Sequence, residues 1–109
     1  MKVFTQWEVE EAVRYAEDGG QALHLHKIIV DYDKAPSCFV KAVRSGKDIA
    51  HLFDQNRERL EQTVRRLGVN IVVVEHAGQP GQHVDLCGGP LERAKRLCRK
   101  RRGGEKGLL

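Results

Sequence analysis

Residues 49 to 75 carry the pattern that most restricts what this chain can fold into. Ile49-Ala50-His51-Leu52-Phe53 is an apolar run, residues 55 to 67 place Leu60, Val64 and Leu67 at helical spacing ahead of Gly68, and Asn70-Ile71-Val72-Val73-Val74-Glu75 is a second, β-branched run. A strand, one helix and a strand in succession predict a parallel pair joined by a right-handed crossover, with strands over 49–53 and 70–75 and a helix over 55–67. Asp54 ends the first strand and is placed to cap the helix, and Gly68 stops it.

The segments around this unit supply the remaining layers. Thr5 followed three residues later by Glu8 is a capping box, predicting a helix from about Gln6 to about Glu17 with Val9, Ala12, Val13 and Ala16 inward and a stop at Gly19-Gly20. Residues 22–30 are apolar on both faces and read as a strand near the sheet centre. Residues 38–43 and 49–53 flank Ser45-Gly46-Lys47-Asp48, a spacing that suggests an antiparallel hairpin, with a helix over 38–44 as the competing reading. Pro90 suits the first position of a last helix with Leu91, Ala94, Leu97 and Cys98 on one face. The expected fold is α/β (or α+β), a single small mixed sheet of about four to five strands with two to three helices.

A chain of 109 residues has room for one core, so residues 1–102 are expected to form one domain and residues 103–109 a flexible tail. No run approaches the roughly 18 apolar residues of a membrane span, and polar residues follow Met1 too soon for a signal peptide. A cytoplasmic protein is therefore expected. Cys38, Cys87 and Cys98 are odd in number and unpatterned, which favours reduced thiols over a disulfide framework or a four-cysteine zinc module. The net charge of +4 is unevenly spread: residues 1–89 hold 11 Lys or Arg against 13 Asp or Glu, and residues 90–109 hold 8 against 2. That basic end can neutralise phosphates, or can simply be a solvated, frayed tail.

The stretch from His76 to Pro90 concentrates reactive side chains. Ligands of open α/β sheets sit beyond the carboxyl ends of parallel strands, here Asp54 and His76. In an extended segment His83, Asp85 and Cys87 share a face and lead into Gly88-Gly89-Pro90, whose amides at a helix start can receive an anion and would lower the pKa of Cys87. The plainer readings are a loop hydrogen bond for His83, a cap for Asp85 and a small buried residue for Cys87. His24 and His26 share one strand face and form a second, weaker pair of candidate metal ligands. His51 faces with Ile49 and Phe53, either half-buried or reaching a pocket beside Asp54.

Two resemblances attach to these residues. Val84-Asp85-Leu86-Cys87-Gly88-Gly89-Pro90 resembles the segment that supplies a zinc-binding cysteine in the editing domains of threonyl- and alanyl-tRNA synthetases. Leu91 follows where that family has a His, and its upstream His-x-x-x-His pair is missing from the sequence, so nothing is carried over. Residues 49–98, with His-Leu-Phe-Asp, the Leu60/Val64/Leu67-Gly68 helix and Gln82-His83-Val84-Asp85 leading into a basic helix, are similar to a family of small bacterial domains of unknown function. That resemblance emphasises His51, His83 and Asp85 and implies no activity; Val84 stands where the family has an aromatic residue.

Three readings of function follow. The first is a binding domain for an anionic, phosphate-bearing ligand, nucleic acid preferred, in which His76, Gly88, Gly89, Arg93 and Arg96 make the contacts. The second is a metal-dependent hydrolase in which His51, His83 and Asp85 ligate a divalent ion and activate water, with Cys87 as a further catalytic candidate. The third is a partner-binding adaptor that uses the sheet edge.

Overall fold

The computed structural model of the chain describes the backbone of residues 1–108 and the side chains of residues 1–98. Four strands, β1 (Lys2–Phe4), β2 (Ala22–His26), β3 (Ile49–Phe53) and β4 (His83–Leu86), form one mixed sheet in the order β1-β2-β3-β4. β1 and β2 are parallel, and the other two pairs are antiparallel. Four helices surround the sheet: α1 (Val9–Glu17), α2 (Ser37–Arg44), α3 (Arg57–Arg66) and α4 (Gly88–Leu108). The fold is α+β, as expected. Its parallel crossover is β1-α1-β2, with α1 entered through a short 3-10 turn (Gln6–Glu8). The Thr5 amide and hydroxyl both donate to the Glu8 carboxylate at 2.8 Å.

The crossover expected over residues 49–75 is not formed. Residues 70–74 belong to no strand, and Glu75 makes one isolated bridge to His83, exchanging backbone hydrogen bonds of 2.8 and 3.1 Å. At that bridge the segment runs antiparallel to β4 and so parallel to β3, the expected direction, but β4 lies between them. The reason is side-chain alternation. β4 alternates His83 and Asp85 with Val84 and Leu86, which suits a sheet with one apolar and one polar face. Residues 71–74 have no polar side to offer and are left along the edge, with Ile71 and Val73 exposed.

Residues 38–44 adopt the helical alternative. Phe39, Val40, Ala42 and Val43 are half-buried, a helical spacing, so no hairpin forms across residues 45–48. α3 is capped by the Asn56 side chain, which accepts from the Arg59 amide, and not by Asp54, which is fully buried. The sheet separates two cores. Leu23, Ala50, Leu52, Val84 and Leu86 point one way and pack with Leu60, Val64 and Leu67 of the α3 region and with Leu91, Ala94 and Cys98 of α4. Phe4, Ala22 and Phe53 point the other way and pack under Ala12 and Ala16 of α1. The expected tail over residues 103–109 falls where side chains lie outside the described residues. Among the described residues, no helix is long and apolar enough to cross a membrane.

The expectation of reduced thiols is overturned for two of the three cysteines. The α2 helix brings Cys38 to the end of β4, where it forms a disulfide with Cys87 at a Cα separation of 6.4 Å. Cys98 is buried in the core. The bridge closes a loop with a sequence separation of 49 residues, so reducing it is expected to lower the unfolding free energy by about 2–4 kcal/mol. Guanidinium midpoints of oxidised chain, reduced chain and Cys38→Ser check this; equal midpoints would contradict it.

Candidate metal centre

Strand period and register together build a histidine-rich surface. Alternate residues of a strand share a face, and the face that carries Phe4, Ala22 and Phe53 beneath α1 continues as His24, His26, His51, His83 and Asp85. Register sets His24 opposite His51, His51 opposite Asp85, and Phe53 opposite His83, so the polar row crosses three strands. The His26 and His51 rings stack with centroids 4.2 Å apart, and His83 meets His51 edge-on at 4.7 Å.

For neutral rings, hydrogen-bond partners assign which nitrogen of His24, His51 and His83 carries the proton. His24 Nε2 lies 3.1 Å from the Gln6 carbonyl oxygen and must donate to it, leaving His24 Nδ1 as an acceptor. His51 Nδ1, 3.1 Å from His24 Nδ1, then donates to it, and His51 Nε2 keeps a lone pair. His83 Nδ1 donates to the Gly81 carbonyl at 2.7 Å, so His83 Nε2 also keeps a lone pair when the ring is neutral. Both Nε2 atoms converge on one oxygen: Asp85 Oδ1 is 3.7 Å from His51 Nε2 and 3.3 Å from His83 Nε2. Direct N–H···O bonds prefer about 2.7–3.2 Å, whereas neighbouring donors on one ion with bonds of about 2.0–2.2 Å stand about 3.0–3.6 Å apart.

One donor atom from each of His51, His83 and Asp85 lies within 4.8 Å of the others, and the same holds for His24, His26 and His51. The first set is the better site. It contains a carboxylate to balance an ion's charge, and Asp85 is partly exposed while the histidines are held from behind. In the second set His24 is already bonded on both nitrogens, and His26 Nδ1 faces the Ile28 amide at 3.4 Å. His24 is therefore a positioning residue for His51, a role its strand spacing did not reveal.

Burial governs the protonation of the cluster. It pushes the His51 imidazole down to about 3, with His26 and His83 adding to the effect against Asp85. It also lowers His26, with His24 contributing. For His83 burial pulls downward, but the Asp85 carboxylate beside Nε2 and the bond to the Gly81 carbonyl outweigh it and the pKa is raised. Burial likewise opposes ionisation of Asp85, yet His83, His51 and His26 hold the carboxyl below its ordinary value.

These shifts fix an acid sensitivity. With His51 and His26 below the usual 6.5, the unfolded chain binds more protons than the folded one as pH falls from 6.5 towards about 3, so stability is lost across that window. His83 acts oppositely: its contribution is present below 6.5 and is lost as pH rises through its raised value. Two lowered groups against one raised group predict a urea midpoint lower at about pH 4.5 than at pH 7. In His51→Asn the dependence should be flatter; an unchanged slope would contradict it.

The other expected site residues take other roles, although Cys87 lines the same groove as His51 and Asp85. Cys87 is held in the disulfide and offers no thiol. His76 is exposed, adopts a positive φ of 52° in the turn before β4, and lies beside His83 with ring centroids 5.7 Å apart. Gly88, at φ +60°, sits against Cys38, and a Cβ there would stand 3.3 Å from its sulfur. Gly89 lies beside the Arg93 guanidinium, which donates to the Leu67 carbonyl at 2.8 Å and so ties α4 to the end of α3. Arg96 Nε is 3.5 Å from the Glu92 carbonyl of its own helix. Because α4 packs on the sheet face opposite the histidines, the glycine and arginine group and the histidine group are separate features. The centre lies on a sheet face, not beyond the strand ends marked by Asp54 and His76.

Missing from the sequence reading was the groove into which the centre opens. Its volume is about 790 Å³, and His51 and Asp85 lie in its wall with Ile28, Val30, Ile71 and Val73. The chain is thus an α+β domain whose mixed sheet presents a histidine and aspartate cluster to an open groove. No family model matches it, and neither a curated protein nor a solved structure does.

Proposed function

We propose that His51, His83 and Asp85 form a divalent metal centre and that the protein is a metal-dependent hydrolase. The observation that carries this reading is the convergence of two imidazole Nε2 atoms and a carboxylate oxygen, each ring held from behind by a hydrogen bond of its other nitrogen. Histidine ligands of metal sites almost always have such outer partners. Three protein donors leave further positions for water and substrate. A divalent ion there would supply a nucleophile from water near neutral pH and polarise a carbonyl or phosphoryl oxygen. The residues hold the charge, orient both rings and keep the site open to the groove. In the reaction water adds to the electrophilic centre, the bond to the leaving group breaks, and the leaving atom takes a proton.

The similarity of residues 49–98 to small bacterial domains of unknown function emphasises the same three residues and belongs to this reading. Capture of nucleic acid through residues 76–90 and α4 draws less support, since Arg93 is engaged with Leu67 and α4 lies across the sheet from the histidines. A cytoplasmic setting is part of the proposal, and the Cys38–Cys87 bridge weighs against it because disulfides are rare in that compartment; thiol alkylation in intact cells that finds the pair oxidised would overturn the cytoplasmic setting.

Metal content tests the centre. Purified chain equilibrated separately with zinc, manganese and iron(II), then passed through a desalting column, is expected to retain one equivalent of at least one of them by elemental analysis. Retention of none would overturn the proposal.

A further inference from the structure

Ile28, Val30, Ile71 and Val73 are 56%, 99%, 82% and 60% exposed, and all four line the groove that contains His51 and Asp85. Exposed aliphatic side chains scattered singly are ordinary, but grouped along one concavity they mark a binding surface. They come from two segments, the chain after β2 and the edge segment before Glu75, both of which carry apolar runs that the sheet does not absorb. Phe39 of α2 and Ile49 of β3 add to the lining.

We infer that this groove binds the aliphatic body of a small amphiphilic substrate whose oxygen-bearing head sits at His51, His83 and Asp85. The inference rests on the metal reading for the head and on the groove alone for the body. Continuity carries it: His51 and Asp85 are part of the groove wall, so a molecule that reaches them lies against the aliphatic side chains. Size selects the occupant. A volume of about 790 Å³ lies within the range of small-molecule sites, about 300–1,000 Å³, while a folded partner needs a broad face. Away from the site the lining carries two carboxylates, Asp31 and Glu75, against one cation, Lys34, a balance that does not suit a polyanionic body and separates this class from polyphosphates and nucleic acids.

Straight-chain alkyl hydroxamates from two to eight carbons test this, because the head chelates divalent ions and only the tail length changes. Calorimetric affinity for the zinc-loaded chain is expected to rise about two- to fourfold per methylene. In the double variant Ile28→Asp and Val73→Asp the rise should vanish while acetohydroxamate affinity and zinc stoichiometry stay as they were. Equal affinities for acetohydroxamate and octanohydroxamate on the zinc-loaded wild type would overturn the inference and leave the metal centre standing. If zinc is not retained, displacement of anilinonaphthalene sulfonate from the metal-free chain by alcohols of four to eight carbons reads the groove alone. A chain-length dependence abolished by the same double variant supports an aliphatic site, and no dependence overturns it.

Discussion

Asp85→Ala is expected to lower zinc affinity by more than about 100-fold, since changes to outer partners of ligands alone cost about 10- to 100-fold and Asp85 is a donor itself. The carboxylate is the only charged member of the set with His51 and His83, so its loss leaves two neutral imidazoles facing a divalent ion. It also removes the partner that holds the His83 pKa up. Asp85→Asn keeps the shape and loses the charge, and should fall between wild type and alanine. The side chain is 43% exposed and contributes to neither core, so near-ultraviolet circular dichroism should stay unchanged. Competition with a chromophoric chelator measures the loss. Wild-type affinity in the alanine variant would show that the ion, if bound, sits elsewhere.

The largest effect on folding is expected at Asp54. Its side chain is fully buried and is gripped by Arg59 through two hydrogen bonds, Nε to Oδ2 at 2.8 Å and Nη2 to Oδ1 at 2.7 Å. Gln21 Nε2 donates to Oδ2 and the Asn56 amide to Oδ1, each at 2.9 Å. Arg59 is 41% exposed and can turn to water, so the cost lies in the lost hydrogen bonds: bonds to a charged group contribute about 1.5–3 kcal/mol, and Asp54→Ala also leaves the Gln21 and Asn56 donors without this acceptor. Asp54→Ala should therefore unfold at markedly lower urea, whereas loss of the exposed Arg57–Glu61 pair in Arg57→Ala should cost less than about 0.5 kcal/mol. The effect extends to the site: the Asp54 backbone bonds Gln82 through its amide, at 3.2 Å, and its carbonyl, at 2.8 Å, and Gln82 directly precedes His83. Zinc affinity should drop with stability in Asp54→Ala; equal stability to wild type would contradict the assignment of Asp54 as an anchor.

Local signals in the sequence were reliable where they depended on neighbours along the chain. The first helix, the helix after β3, the strand at residues 49–53 and the start of the last helix all occur close to where spacing placed them. The misreadings have one origin. Val72, Val73 and Val74 have high strand propensity, but a strand also needs a partner, and β4 occupies the edge of β3. Residues 38–44 were ambiguous because the run is short enough for either period, and in the structure Phe39, Val40, Ala42 and Val43 are half-buried at helical spacing. For Cys87, nothing in its spacing from Cys38 reveals that the helix places both together.

The candidate site divides in the same way. Alternation along the chain was enough to put His83 with Asp85 and His24 with His26, and the order of residues alone did not add His51 to the first pair. Only tertiary structure decided that His51 stands opposite Asp85, that His24 holds it from behind, that the Cys87 sulfur is tied to Cys38, and that the basic helix packs on the other sheet face. The physical reason is that side-chain periodicity is a property of one strand, whereas register, and with it the meeting of groups more than thirty residues apart, is set by which apolar face each strand buries.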